Sequence, residues 1–141
     1  MGEITVTVPI YWQVTKKKKV LVAMNWLRNA HFMVSNNVKR GYLSVVKAQV
    51  TPSTKMFRKC HIHYTIYLKR KGTDGGNVRS VIEKFVLDAL VKCKVIEDDT
   101  FDIVVSDSSE YHLDRNNPRA EITVKEITEV VPPKSRWIKH P

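Results

Sequence analysis

Between Lys59 and Arg70 the chain alternates, with Cys60, Ile62, Tyr64, Ile66 and Leu68 on one side and His61, His63, Thr65 and Tyr67 on the other. A period of two over that length predicts a strand with one face buried. The period then changes. Gly72–Thr73–Asp74–Gly75–Gly76 reads as a turn, and from Asn77 to Lys92 the residues Val78, Ile82, Phe85, Ala89 and Cys93 recur along one face of a helix. A strand that feeds a long helix through a glycine turn confines the chain to a mixed α and β class.

The flanking segments extend that pattern. Glu3 to Tyr11 alternates Ile4, Val6, Val8 and Ile10 against polar neighbours, and the basic run Lys16–Lys19 leads to a second strand at Val20–Met24 through a hairpin. Asn25 is placed to cap a helix in which Leu27, Ala30, Val34, Val38 and Val45 share a face, with Gly41 as a weak point and Pro52 as a stop. After Val95–Ile96 come the acidic turn Glu97–Asp98–Asp99, a strand at Phe101–Val105, a polar loop from Asp107 to Pro118, and a last strand at Glu121–Val131 with Ile122, Val124 and Ile127 inward. The expected fold is α/β (α+β): a single domain over residues 1–131, with a mixed sheet of about five strands packed with two long helices. Pro132–Pro133 then breaks the pattern, and residues 132–141 form a basic tail in which Trp137 alone is placed to dock.

Charge divides the chain. Residues 1–72 hold fourteen Lys and Arg against the single acid Glu3, whereas residues 73–131 hold thirteen acids against seven bases. Such a split suggests a polyanionic partner and a separate acidic site. The longest apolar run, Val20–Met24, is too short to cross a bilayer, and no secretory signal is visible. The two cysteines, Cys60 and Cys93, exclude a disulfide scaffold and a Cys-only zinc site. A reduced, cytoplasmic protein with no membrane partner is expected.

The chemistry-bearing residues cluster from Lys69 to Asp99. On a helix Asn77, Lys84 and Asp88 form a polar line opposite the apolar face. Asp74 feeds its start, and Asp98 and Asp99 follow its end in a turn able to fold back beside it. Carboxylates converging near a lysine, beside a basic surface, suit Mg²⁺-dependent cleavage of phosphodiesters, because hard oxygen ligands hold the ion that offsets phosphate charge. Each residue also has a plainer role. Lys84 and Asp88 make an i,i+4 surface pair, Asp98–Asp99 suit a turn, and Asp74 beside two glycines suits a tight turn.

The run Asp74-Gly-Gly-Asn77, Glu83-Lys84, Asp88-Ala89-Leu90 and Val95-Ile96-Glu97-Asp98-Asp99 resembles the RusA family of Holliday junction resolvases. The family shows Asp-x-x-Asn, a lysine four residues before Asp-Ala-Leu, and a hydrophobic step into Asp-Asp. Upstream, Asn25-Trp-Leu-Arg28-Asn-Ala-His31 resembles the first helix of phage-borne relatives. The likeness is strong over residues 69–100. It implies a homodimeric, Mg²⁺-dependent endonuclease (Mn²⁺ substituting) of a phage or prophage in a bacterial host cell, nicking four-way DNA junctions symmetrically in recombination and repair, with no small-molecule substrate. By position, Asp74, Lys84 and Asp99 match the family's catalytic residues and Asn77 its asparagine, with Asp98 beside Asp99 as a further metal ligand. Two departures stand out. The family's second aspartate position is Gly76 here, and Lys84 lies one helical turn further from Asn77 than in the founding members. Asp88, on the Asn77–Lys84 line, is favoured over Glu83 as the replacement carboxylate, both as a metal ligand and in the catalytic set.

Around this site Lys16, Lys17, Lys18, Lys19, Lys69, Arg70, Lys71, Asn77 and Arg79 are the expected DNA contacts, giving affinity with little sequence reading. Arg28, Lys134 and Arg136 are further candidates, and Trp137 is placed either to stack on an exposed base or, the favoured role, to pack on its own or a partner's surface. His61 and His63 would share a strand face, but no third or fourth zinc ligand accompanies them, so a packed or interfacial face is expected. The rival functions are a non-catalytic DNA- or RNA-binding module with a structural acidic cluster, and a nuclease acting on flaps or single strands.

Overall fold

A computed structural model describes residues 2–51 and 55–127. The chain opens with β1 (Glu3–Pro9), β2 (Tyr11–Gln13) and β3 (Lys19–Leu21), followed by α1 (Met24–Asn29) and α2 (Phe32–Lys47). Next come β4 (Cys60–Leu68), α3 (Gly75–Lys92), β5 (Val104–Leu113) and β6 (Arg119–Glu126). Four strands make a mixed sheet in the order β1-β6-β4-β5, while β2 and β3 pair separately. The fold class is α+β, as the switch of period implies.

The sheet's polarity follows from its connections. β6 is antiparallel to both β1 and β4, so β1 and β4 point the same way. α3 spans about 27 Å at 1.5 Å per residue and carries the chain back along β4, so that β5 starts beside Cys60 and runs parallel to it. The alternation in β4 is realised in full: Cys60, Ile62, Tyr64, Ile66 and Leu68 are buried and the residues between them are half-buried. With Val6, Val8, Ile122 and Val124 they form one wall of the core, and Val38, Tyr42, Val46, Val78, Val81, Ile82, Phe85 and Leu90 of α2 and α3 form the other. Each such side chain contributes about 1.5–3 kcal/mol by leaving water. The sheet's second face is polar, and no other described element packs on it.

Several expectations are revised. The first helix is two helices. Ala30 and His31 both take extended backbone, and His31 caps α2 by accepting a hydrogen bond from Met33 N at Nδ1. Ala23, not Asn25, stands before α1, and it has no side-chain cap. The buried stripe on α2 is Val38, Tyr42 and Val46, leaving Val34 36% exposed.

Gly41 is not a weak point either. A Cβ there would run into the Trp12 ring, which stacks on Tyr42 with centroids 4.8 Å apart, while the Tyr42 hydroxyl donates to Pro9 O. The glycine is therefore the seat on which the β2–β3 hairpin docks.

The expected polar loop after Asp107 is largely strand. β5 is hydrophilic because Ser106, Ser108, Glu110 and His112 lie on the open face beside His61, His63, Thr65 and Tyr67. A period-two pattern without apolar residues looks like a loop when only hydrophobicity is read. Phe101, expected in a strand, is 87% exposed, and residues 128–141, including Trp137 and the tail, lie outside the described residues.

Candidate functional site

Register places the basic segments at one end of the sheet. Pro9 at the end of β1 pairs with Arg119, which pairs with Tyr67 near the end of β4. The hairpin that follows Pro9 and the turn that follows Leu68 therefore emerge side by side. Lys69 Nζ stands 5.7 Å above the Tyr11 ring, which joins the two segments. Lys16–Lys19 lie at the hairpin tip, closed by Val14 N donating to Lys18 O at 2.9 Å. Lys69, Arg70 and Lys71 lead to Gly72, whose φ of +83° makes the turn. All seven cations are exposed, and none has an ion pair among the described residues.

Asp74 stands at this same end as the N-cap of α3. Its Oδ1 accepts from Asn77 N at 3.3 Å and its Oδ2 from Asn77 Nδ2 at 3.0 Å. The Asp-x-x-Asn motif is thus a capping pair that satisfies the helix's orphan donors. A carboxylate has about four acceptor sites, so exposed Asp74 retains capacity for a further partner. Gly75 accommodates the ring of Tyr111, which a Cβ would strike. A Cβ at Gly76 would lie 3.4 Å from Asp74 Oδ1 and meet nothing else within 4 Å.

The remaining acidic residues are elsewhere. Lys84 is exposed, about 10 Å along the axis from Asn77, and has no hydrogen bond or ion pair among the described residues. Asp88 lies about 21 Å along the axis from Asp74 and binds Lys39 at 3.6 Å and Lys92 at 3.2 Å, tying α3 to α2. Asp98 and Asp99 follow α3's far end, between Ile96, which bridges to Phe57, and Ile103, whose carbonyl accepts from Cys60 N. Both are exposed, and Asp98 Oδ1 accepts from Asp99 N at 2.8 Å. The turn does not bring them beside Asp74, because a helix of 18 residues separates the two ends. Among the described residues no group of three or more His, Cys, Asp or Glu is arranged to hold a metal ion. Asp74, Asp88, Asp98 and Asp99 of one protomer therefore do not fit a shared Mg²⁺.

Arg79 also differs from expectation. Its guanidinium binds Glu83 at 2.8 Å and Asp107 at 2.9 Å and lies 4.6 Å from the Tyr64 ring centroid. It fastens α3 to β5 and is not free for phosphate. Glu83, held by Arg79, is no substitute ligand. Both thiols are free, and burial pushes the Cys60 thiol up to about 11.

The open face of the sheet carries an array that the sequence reading reached only in part. His61 bonds Ser106 at 2.7 Å and Ser108 at 2.8 Å, while His63 bonds Ser108 at 2.6 Å and Glu110 at 2.7 Å. Glu110 also accepts from His112 at 2.7 Å, and hydrogen bonds from both imidazoles hold its carboxyl below the usual range. Arg119 lies 3.8 Å over the Tyr67 ring and ties Asp114 to Glu121. The histidines are thus satisfied by serines and a glutamate. The alternation that made His61 and His63 legible was equally present in Ser106–His112.

No family model matches the chain, and no curated protein matches it. Among the described residues no helix is long and apolar enough to cross a membrane.

Proposed function

We propose that the protein is a Mg²⁺-dependent endonuclease that acts on branched DNA, of the kind its Asp74-to-Asp99 run resembles, and that it works as a homodimer. The observation that supports this reading is the gathering of Lys16–Lys19 and Lys69–Lys71, all unpaired, around the end of α3 capped by Asp74. Residues 4–73 contain no carboxylate side chain, so nothing on these segments opposes phosphate. Contacts of this kind position a duplex without reading its sequence. Lys84, exposed on the same helix, is free to neutralise a phosphate oxygen.

The carboxylates impose a condition on this reading. Asp74 and Asp98–Asp99 sit at opposite ends of one helix, so one protomer cannot supply both to a single ion. A two-fold related second copy with α3 reversed would supply the missing end, and a four-way junction with two scissile strands requires two such centres. Asp88, engaged by Lys39 and Lys92, is not needed in that set.

The same separation favours a second reading, a DNA-binding module whose acidic residues are structural. Incubation of a labelled four-way junction and matched duplex in Mg²⁺ or EDTA, with wild type and Asp99→Asn, decides between them. The resolvase reading expects paired nicks in the junction only, lost in EDTA and reduced about a hundredfold or more by the substitution, with binding retained. Binding without nicks favours the module, and nicking of flaps but not junctions favours the single-strand nuclease.

A further inference from the structure

Beside the basic hairpin the fold leaves a cleft of about 520 Å³ between the β2–β3 hairpin, α1 and the start of α2. Thr15 and Lys18 border it on the hairpin side, Asn25, Trp26 and Asn29 on α1, and His31 on the far wall. Its size lies within the range of about 300–1,000 Å³ typical of small-ligand sites. The lining is largely apolar, with Val14, Ala30 and Val34 between the polar groups. Trp26 offers an aromatic surface and Lys18 an unpaired ammonium. Asn29 spends its Nδ2 on Asn25 O at 2.8 Å, leaving its Oδ1 as an acceptor, and the Asn25 amide has no partner among the described residues. His31 accepts at Nδ1 from Met33 N, so the neutral ring carries its proton on Nε2 and is a donor there. Its ring stacks on Phe32 with centroids 4.7 Å apart.

We propose that this cleft takes one unpaired nucleotide of a DNA strand. A base presents a π face for Trp26 and an edge of donors and acceptors for the asparagine amides and His31, and its phosphate is the counter-charge for Lys18. The surrounding hairpin and helices carry no carboxylate to repel it. A base inside a duplex is stacked on both sides and cannot enter, so the cleft selects strands that are single or unpaired, as at a branch point. The inference rests on the DNA reading above and adds to it where unpaired bases go.

Tryptophan fluorescence of the full chain, titrated with oligothymidylate, with thymidine monophosphate and with duplex of equal length, tests the assignment. Oligothymidylate quenches the wild type and Trp137→Phe, and the quench disappears in Trp26→Phe, which keeps an aromatic ring in the partly buried position. The double variant Lys18→Ala/Asn25→Ala, both exposed residues, loses about tenfold in affinity for oligothymidylate and less than about threefold for duplex. Equal losses for both ligands would overturn the proposal, as would unchanged binding or saturation by the free mononucleotide alone. Duplex and junction bound without oligothymidylate would overturn the cleft and leave the proposed function standing. No DNA bound at all would overturn both.

Discussion

The two ends of the sheet are built from the same strands yet differ in chemistry. At the end where β1 and β4 finish, the hairpin and the β4–α3 turn project unpaired lysines and arginine, while the carboxylates there are engaged, Asp74 in capping α3 and Asp114 with Arg119 at 3.0 Å. At the end where β4 begins, Asp98, Asp99 and Asp102 crowd the connection from α3 to β5, with Lys59 donating to Asp102 O at 3.2 Å. The first end presents exposed cations without ion pairs, whereas the second gathers exposed carboxylates. On the proposed reading, each end supplies half of what phosphodiester cleavage needs. The difference teaches that α3 is a spacer as much as a scaffold, since its length keeps the halves apart within one protomer.

Removing charge from the first end has the largest expected effect on binding. Replacing Lys16–Lys19 with alanine should lower junction affinity by about a hundredfold at low salt and reduce the slope of log affinity against log salt by about 3–4, at 0.9 per phosphate contact. Lys59→Ala, at the other end, should leave both nearly unchanged. Equal effects would erase the contrast between the ends. Filter binding across a salt series measures it.

Gly76→Asp sharpens the comparison by adding a ligand to the cation-rich end. The new Cβ meets only Asp74 Oδ1, at 3.4 Å, so the substitution fits without moving the backbone. An added carboxylate raises the charge available to a hard cation, and the Mg²⁺ midpoint for nicking should fall about tenfold. An unchanged midpoint would place the metal away from Asp74.

The smallest expected effect concerns Arg79, which lies between the ends. Arg79→Met should cost about 1–2 kcal/mol of stability, a value reduced for its partial exposure, by freeing Glu83 and Asp107 from their shared partner. Junction affinity should stay within about twofold of wild type. A thermal melt beside the binding curve separates this from the phosphate contact that its place in the sequence suggests.

How much of this was legible depends on what the pattern encodes. β4 and α3 were readable because their burial follows a single clean period, one strand face and one helix stripe. The break at Ala30–His31 was hidden because Leu27, Ala30, Val34 and Val38 keep helical spacing across it, and a histidine cap is a weak signal. β5 was hidden because its partner on the open face is polar, so its alternation is hydroxyl, carboxylate and imidazole rather than apolar. For the site, residue types and spacing along α3 were visible, but spacing around a helix is silent about distance along it. Asn77, Lys84 and Asp88 do share a face, while Asp74 and Asp99 are separated by the helix itself. Arg79 reads from the sequence as a phosphate contact because its partner Asp107 lies on a strand without an apolar period.

The most direct test is complementation between the ends. Asp74→Asn and Asp99→Asn are each expected to abolish nicking of a four-way junction in Mg²⁺, because every centre then lacks one end. Co-expressed, they form mixed dimers in which one centre combines two substituted ends and the other two intact ends. The account predicts that the mixed protein regains single-strand nicking of the junction. A mixture as inactive as either variant, beside an active wild type, would contradict a centre assembled from opposite ends of two copies of α3.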